Sequence, residues 1–286
     1  MKQKFKTIDP KEVSIPELHH ALLGAIGPRP ICFASTVDKD GNRNLAPFSF
    51  FNVFSASPPI VVFSPARSGR TGATKNTFDN VNEVAEVVIN VVNYDMVHQV
   101  SLASSPYAKG VDEFIKAGFT PMASDMVKPY RVAESPVQLE CKVNQVIRLG
   151  ENGGAGNLVI AEVLKMHINE EFLMENGHID QQKIDLVARM GGNWYCRAHG
   201  EALFEIAKPI TTLGIGVDSL PKHIVTTSLL NGNHLGMLGN VEQEPTTEEI
   251  EAAEKGLATL EKRIEKAINL MQDGKMPQAL ATIWNP

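Results

Sequence analysis

The sequence predicts a mainly β fold, a β-barrel-like core with added helices. Two observations predict it. Before residue 218 the apolar residues fall in short β-branched runs, separated by glycine- and proline-rich turns, with few long helical patterns. Sustained helical periodicity is confined to the C-terminal part, from Pro221 onward. The chain of 286 residues is long enough for one large domain or two small ones. The change of pattern divides it into a β domain over 1–210 and a mainly helical extension over 211–286, packed on the barrel or on a dimer partner.

Each element has a local reason. Pro16 to Gly24 reads as a short helix, with proline in its first turn and glycine at its end. Its adjacent His19 and His20 point in different directions on a helix, so they do not form a chelating pair. Residues 31–37 and 43–47 read as a hairpin around Asp38-Lys39-Asp40-Gly41-Asn42, strong turn chemistry. Pro59 to Ser64 is a third strand bounded by prolines, and residues 76–82 make one or two helical turns. β-Branched residues crowd Glu83 to Asn93, which predicts a strand buried on both faces. Residues 94–130 read as an excursion from the sheet, with short helices at 96–103 and 111–117; excursions of this length often cover a site. Leu139–Leu149 and Leu158–Ile168 make a second hairpin, the latter with Ile160, Leu164, Met166 and Ile168 on one phase. The joining loop, 150–156, is glycine-rich and reads as flexible and exposed.

Two helices are expected in the extension. One covers Pro221–Leu230. The other opens at Thr246, with Glu249 completing a capping box. Ile250, Ala253, Leu257, Leu260, Ile264, Ala267 and Met271 then form a seam over about three heptads, lying on its own domain or on a second subunit.

The formal charge of −6 argues against nucleic acid as a partner, because phosphate backbones need a basic surface. No apolar run approaches the ~20 residues that span a bilayer, so no membrane partner is expected. The three cysteines, Cys32, Cys141 and Cys196, form no C-x-x-C pair, and their number is odd. A disulfide framework is therefore not expected, and a reducing cytoplasm is. The first 20 residues are polar and do not read as a signal peptide.

Two stretches carry chemistry. From Ser64 to Thr77 the chain supplies Ser64, Arg67, Ser68, Arg70, Thr71, Thr74, Lys75, Asn76 and Thr77. Phosphate recognition needs such convergent hydroxyls and cations, with a helix start at Asn76-Thr77 to aim amides at an anion. A solvated surface loop has the same composition, and the spacing is not that of a P-loop. Ala46-Pro47-Phe48-Ser49-Phe50-Phe51-Asn52 places small residues where a backbone can approach a planar ring, while its phenylalanines also read as core. Gly214-Ile215-Gly216 lacks the third glycine of a dinucleotide fingerprint. The histidines show no metal-ligand spacing, and no metal site is assigned. His199, following the glycine-tyrosine stretch of 191–195, and Tyr195 are the weak catalytic candidates.

In order along the chain stand Pro28-Arg29-Pro30, Ala34-Ser35-Thr36-Val37, the Asp-Gly turn, Asn44-x-Ala46-Pro47-x-Ser49-x-Phe51, Ser57-Pro58-Pro59, Lys75-Asn76-Thr77, and Arg189-Met190-Gly191-Gly192-x-x-Tyr195. Through these the chain resembles the flavin reductase-like family of FMN-binding split barrels, flavoredoxin-type proteins included. The resemblance covers about residues 20–206. It implies a six-stranded Greek-key barrel that dimerises, with FMN in a groove near the interface. It also implies that Ala46, Pro47, Ser49, Phe50 and Phe51 contact the isoalloxazine ring, that Ser64, Arg67, Lys75, Asn76 and Thr77 hold the phosphate, and that Arg189 and Tyr195 lie at the ring side or across the interface. Many members carry Asp where this chain has Asn76. The implied function is an oxidoreductase that moves electrons from NAD(P)H through FMN to a flavin, a metal complex or a protein acceptor. An electron carrier without NAD(P)H activity and a non-redox flavin-storage module are the alternatives.

Overall fold

The computed structural model of the chain describes residues 4–206, 209–257 and 259–286. The chain forms two compact units, Met1–Phe204 and Glu205–Pro286; the sequence reading sets this boundary at 210. The sequence after Ile206 predicts a turn-rich connection, which lies partly outside the described residues.

The first unit opens with helix α1 (Ile15–Ala25), N-capped by the Ser14 hydroxyl, which accepts from the Glu17 amide. There follow β1 (Arg29–Pro30), β2 (Cys32–Val37), β3 (Arg43–Phe48), β4 (Phe51–Ala56), β5 (Pro59–Phe63), α2 (Asn76–Glu83) and β6 (Glu86–Val91). The excursion contributes α3 (Val97–Ala103), α4 (Glu113–Ala117), β7 (Pro121–Met122) and β8 (Arg131–Val132). Two long strands, β9 (Val137–Arg148) and β10 (Asn157–Ile168), precede the short β11 (Val187–Arg189) and β12 (Tyr195–Arg197).

The main sheet is antiparallel throughout, in the order β3-β2-β6-β9-β10-β5-β4. Its two edge strands, β3 and β4, are consecutive in the chain and separated only by Ser49-Phe50. The link from Phe48 to Phe51 reaches at most ~11 Å, so the sheet curls until the ends of these two strands come together there. The stretch expected beside a planar ring, Ala46–Asn52, is thus mostly strand, and the six expected strands become seven because the run from Arg43 to Ala56 bends at Ser49-Phe50. A separate three-stranded ladder, β1-β11-β12, places Arg29 opposite Arg189 and Arg189 opposite Tyr195.

Strand β2 is buried along its whole length because it is covered on both sides. Cys32 and Ala34 belong to the barrel interior with Phe63, Val81, Ile89, Cys141 and Val159. Phe33 faces a second cluster with Val100, Phe114 and Phe119, which the excursion brings over the outer face. On β10 the inward phase is Val159, Ala161 and Val163, whereas Leu164 and Met166 are 42% and 49% exposed; the strand is bulged between Val163 and Lys165.

The second unit contains α5 (Lys222–Thr226), α6 (Gly232–Gly239), α7 (Thr247–Glu254), α8 (Leu260–Gln272) and α9 (Met276–Ile283). The capping box at Thr246 and Glu249 forms as expected. The continuous helix expected beyond it does not. Gly256 takes φ +81° and ends the run, and Thr259 caps a fresh helix by accepting from the Lys262 amide. Ile264, Ala267 and Met271 of the expected seam pack into their own unit, with Leu238, Leu280 and Ile283. The helix expected over Pro221–Leu230 shortens to α5.

Candidate functional site

Where β3 bends into β4, a cavity of about 490 Å³ opens between the sheet edge, α1, the start of α2 and the segment after α3. Ala46, Pro47, Ser49, Phe50, Ser64, Lys75, Asn76 and Thr77, all sequence candidates, line it together. Ala46-Pro47-Phe48-Ser49 supply one part of its lining, and Ser68, Arg70, Thr71 and Thr74 with the start of α2 supply a polar and basic part.

The helix start explains the polar lining. Lys75 is the N-cap of α2 and makes no side-chain cap bond. The first-turn amides of Asn76 and Thr77 have no protein acceptor among the described residues, so they are available to an anion. Thr77 is buried, and its hydroxyl accepts from Asn44 Nδ2 at 2.9 Å, which leaves its own hydrogen to donate. Ser64 is held similarly: its hydroxyl accepts from the Asn157 amide at 3.0 Å.

Arg67 has a different job from the one expected. Its guanidinium donates to the Gly72 carbonyl at 3.1 Å and to Glu151 at 2.7 Å, and it does not line the cavity. Its backbone pairs with Ala155 and Gly154. The loop 150–156, expected to be loose, is therefore docked on the basic loop; a Cβ on Gly153 would meet the Ser68 and Gly69 carbonyls at 3.0 Å. Arg67 is a strut for the cradle, chosen over Arg70 by an acid 84 positions away. Phe51 packs against the barrel interior, which fits core filling rather than ring contact. Arg189 and Tyr195 line a second recess of about 360 Å³, which shares Pro47, Phe48, Ser49 and Ser104 with the first. His199 lines neither; it faces Asp185 at 3.8 Å and is half exposed.

Sequence reasoning misses His19 and Leu23, which sit four apart on α1 and so share the face turned to the cavity. It also misses Ser104 to Tyr107, which the fold of the excursion brings to the rim. Glu113 on the cavity wall is buried and accepts from the Leu45 amide at 3.0 Å. Burial raises its carboxyl above the ordinary range, against the pull of that amide.

Arg29 ties the pieces together. It is buried and donates to the carbonyls of Leu23, Ile26 and Met190 and, at 3.5 Å, to Ser49 Oγ. One side chain thus fixes the end of α1, the β11–β12 turn and the bend of the sheet edge. Burial, and then neighbouring Arg189, pull it below the ordinary guanidinium range.

Away from the cavity, Asp125, Glu140 and His167 bring potential ligand atoms within 4.8 Å of one another. These groups are already satisfied. Glu140 accepts from the amides of Asp125 and Met126 and lies 2.7 Å from His167 Nε2, and Asp125 is paired with Lys165 at 2.5 Å. The cluster is an ion-pair staple. The thiols of Cys32 and Cys141 are also inert: both are interior, and burial pushes Cys141 up to about 12.

A protein of Halalkalibacterium halodurans is 37% identical over 204 residues, 71% of this chain and 96% of its own length. Component B of nitrilotriacetate monooxygenase from Bacillus cereus is 29% identical in sequence and superposes with a TM-score of 0.67, covering 72% of this chain and all of its own. Flavoredoxin of Desulfovibrio vulgaris shares the fold, with 21% identity, a TM-score of 0.55 and coverage of 65% and 93%. Residues 25–183, which hold the bent sheet edge, the basic loop and the docked glycine loop, match the flavin reductase like domain, and the chain belongs to that family of flavin-binding split barrels.

Proposed function

We propose that the chain binds FMN in the 490 Å³ cavity and passes electrons from NAD(P)H through it to a flavin, a metal complex or a protein acceptor. The observation that supports this reading is the polarity of that one cavity. Amides of α2 without a partner among the described residues and Lys75 line it together with a wall of Ala46, Pro47, Phe48 and Ser49. A phosphorylated planar heterocycle has this same division.

Bound FMN supplies the redox chemistry. The protein's share is binding and orientation. The Asn76 and Thr77 amides, the Thr77 and Ser64 hydroxyls and the Lys75 ammonium hold the phosphate. Pro47 to Ser49 fix the ring plane, and Arg29, by donating to Ser49, leaves that hydroxyl's hydrogen to point into the cavity. The Ala103–Tyr107 segment lines the cavity beside them. No protein acid or base is required.

Mixing purified protein with FMN and then NADH or NADPH, while following flavin absorbance, tests this. Rapid bleaching is expected. Bound flavin that only dithionite reduces would leave the electron-carrier or storage alternative, and protein that takes up no FMN would overturn the reading. A homodimer is part of the same proposal. Val53 and Phe54 on β4 are 66% and 68% exposed, and Leu164 and Met166 on β10 are also uncovered, apolar surface that a second copy would bury. A cytoplasmic location belongs to it as well, supported by three cysteines that are all free.

A further inference from the structure

The recess beside the main cavity carries an electrostatic imbalance. Arg29 and Arg189 are direct partners across the β1–β11 ladder, an arrangement that destabilises a ladder unless something compensates it. Among the described residues neither guanidinium has a carboxylate within 4.0 Å, whereas Arg43, Arg67, Arg131 and Arg197 each stand against an acid. The N–H groups of Arg29 go to three backbone carbonyls and the Ser49 hydroxyl. Arg189 spends one NH2 on the Gly192 carbonyl at 2.8 Å and stacks its plane 4.5 Å from the Tyr195 ring. Among the described residues the rest of its donor edge has no protein acceptor. Arg189 is thus anchored through one nitrogen, half-buried and without an acid partner among the described residues, at the wall of a recess of about 360 Å³.

The other walls define what fits. Ile31, Phe48 and Val100 are apolar, and Asn193 and Ser104 add neutral hydrogen-bonding groups. The volume lies at the small end of ligand sites. We propose that this recess binds a small planar organic anion carrying a carboxylate, with Arg189 taking the carboxylate and Tyr195 holding the guanidinium in place. A planar guanidinium matches a carboxylate edge to edge, and an apolar slot with one cationic end suits a ring with one anionic substituent. The recess shares Pro47 to Ser49 with the main cavity, so the anion would lie against the same wall as the flavin. This placement of the anion beside a flavin rests on the flavin reading of that cavity.

The test is calorimetric titration of benzoate and of its neutral counterpart benzamide into the full chain loaded with FMN. Benzoate is expected to bind about tenfold or more tightly than benzamide. Arg189→Gln is expected to bring that ratio close to one, which a merely structural loss would not do because it weakens both ligands alike. Equal binding of the two ligands by the native chain, no binding of benzoate, or an unchanged ratio in the variant would overturn the proposal. Should Arg189→Gln fail to fold by circular dichroism, salt dependence in the native chain decides: benzoate affinity falls with added NaCl if the contact is ionic, and parallel curves for the two ligands refute it. Failure of FMN to bind would sink the flavin reading separately. Benzoate titrated into the chain alone then still decides the recess, whose walls are protein.

Discussion

Lys75 and Arg67 look alike in the sequence, two cations eight positions apart in one hydroxyl-rich loop. Their surroundings separate them. Glu151 neutralises Arg67 and makes it part of the scaffold, while among the described residues no acid stands within 4.0 Å of Lys75 at the start of α2. The local run Lys75-Asn76-Thr77 was legible because a helix start is a sequence-local event. His19, Ser104 and Glu113 were not legible, because only the packing of α1 and the excursion brings them to the cavity. Replacing Lys75 with Ala is expected to weaken FMN binding by roughly 1.5–3 kcal/mol, the range for a hydrogen bond to a charged group. A fluorescence titration that gives native affinity would remove Lys75 from the site.

At the scale of elements, the paired strands β2 and β3 were readable from their turn, in which Asp38 Oδ1 accepts from the amides of Asp40 and Asn42. Strand β4 was hidden, because Phe51 to Ala56 has no clean alternation and bulges after Val53. The heptad seam misled for a related reason: apolar spacing persists across Lys255 to Thr259, and only the positive φ of Gly256 shows the break. One carboxylate outside the excursion helps to hold it. Glu140, fully buried on β9, accepts from the amides of Asp125 and Met126 and so staples residues 121–132 to the barrel. Burial alone would raise its carboxyl, but those two amides and His167 outweigh it and hold it below its ordinary value of 4.5. A carboxyl depressed in the folded state adds stability above its unfolded value, and that stability is lost as pH falls through the lower, folded one. Glu140→Gln is therefore expected to cost roughly 1.5–3 kcal/mol at pH 7 in denaturant unfolding, with the gap to the native chain narrowing below about pH 4.5. A gap that stays constant with pH would show that shape, rather than charge, holds the staple.

At the scale of the whole molecule, the two units have separate interiors. Both hydrophobic clusters of the first lie between Ile31 and Val187, and the cluster of the second lies between Leu220 and Ile283. Every residue that lines the cavity and the adjoining recess comes from the first unit, and the matched family segment, 25–183, lies within it. The apolar strand surface assigned to a second copy also comes from it, through Val53, Phe54, Leu164 and Met166. The second unit thus adds a helical module to a domain that already holds its own core, site and proposed partner surface. A fragment ending at Phe204 is therefore expected to unfold cooperatively, to bind FMN within about threefold of the full chain's affinity, and to scatter light as a dimer. A fragment that unfolds without a cooperative transition, or that loses flavin, would show that residues 205–286 complete the barrel or its cavity. A fragment that binds flavin as a monomer would place the proposed dimer contact in the helical unit instead of on β4 and β10.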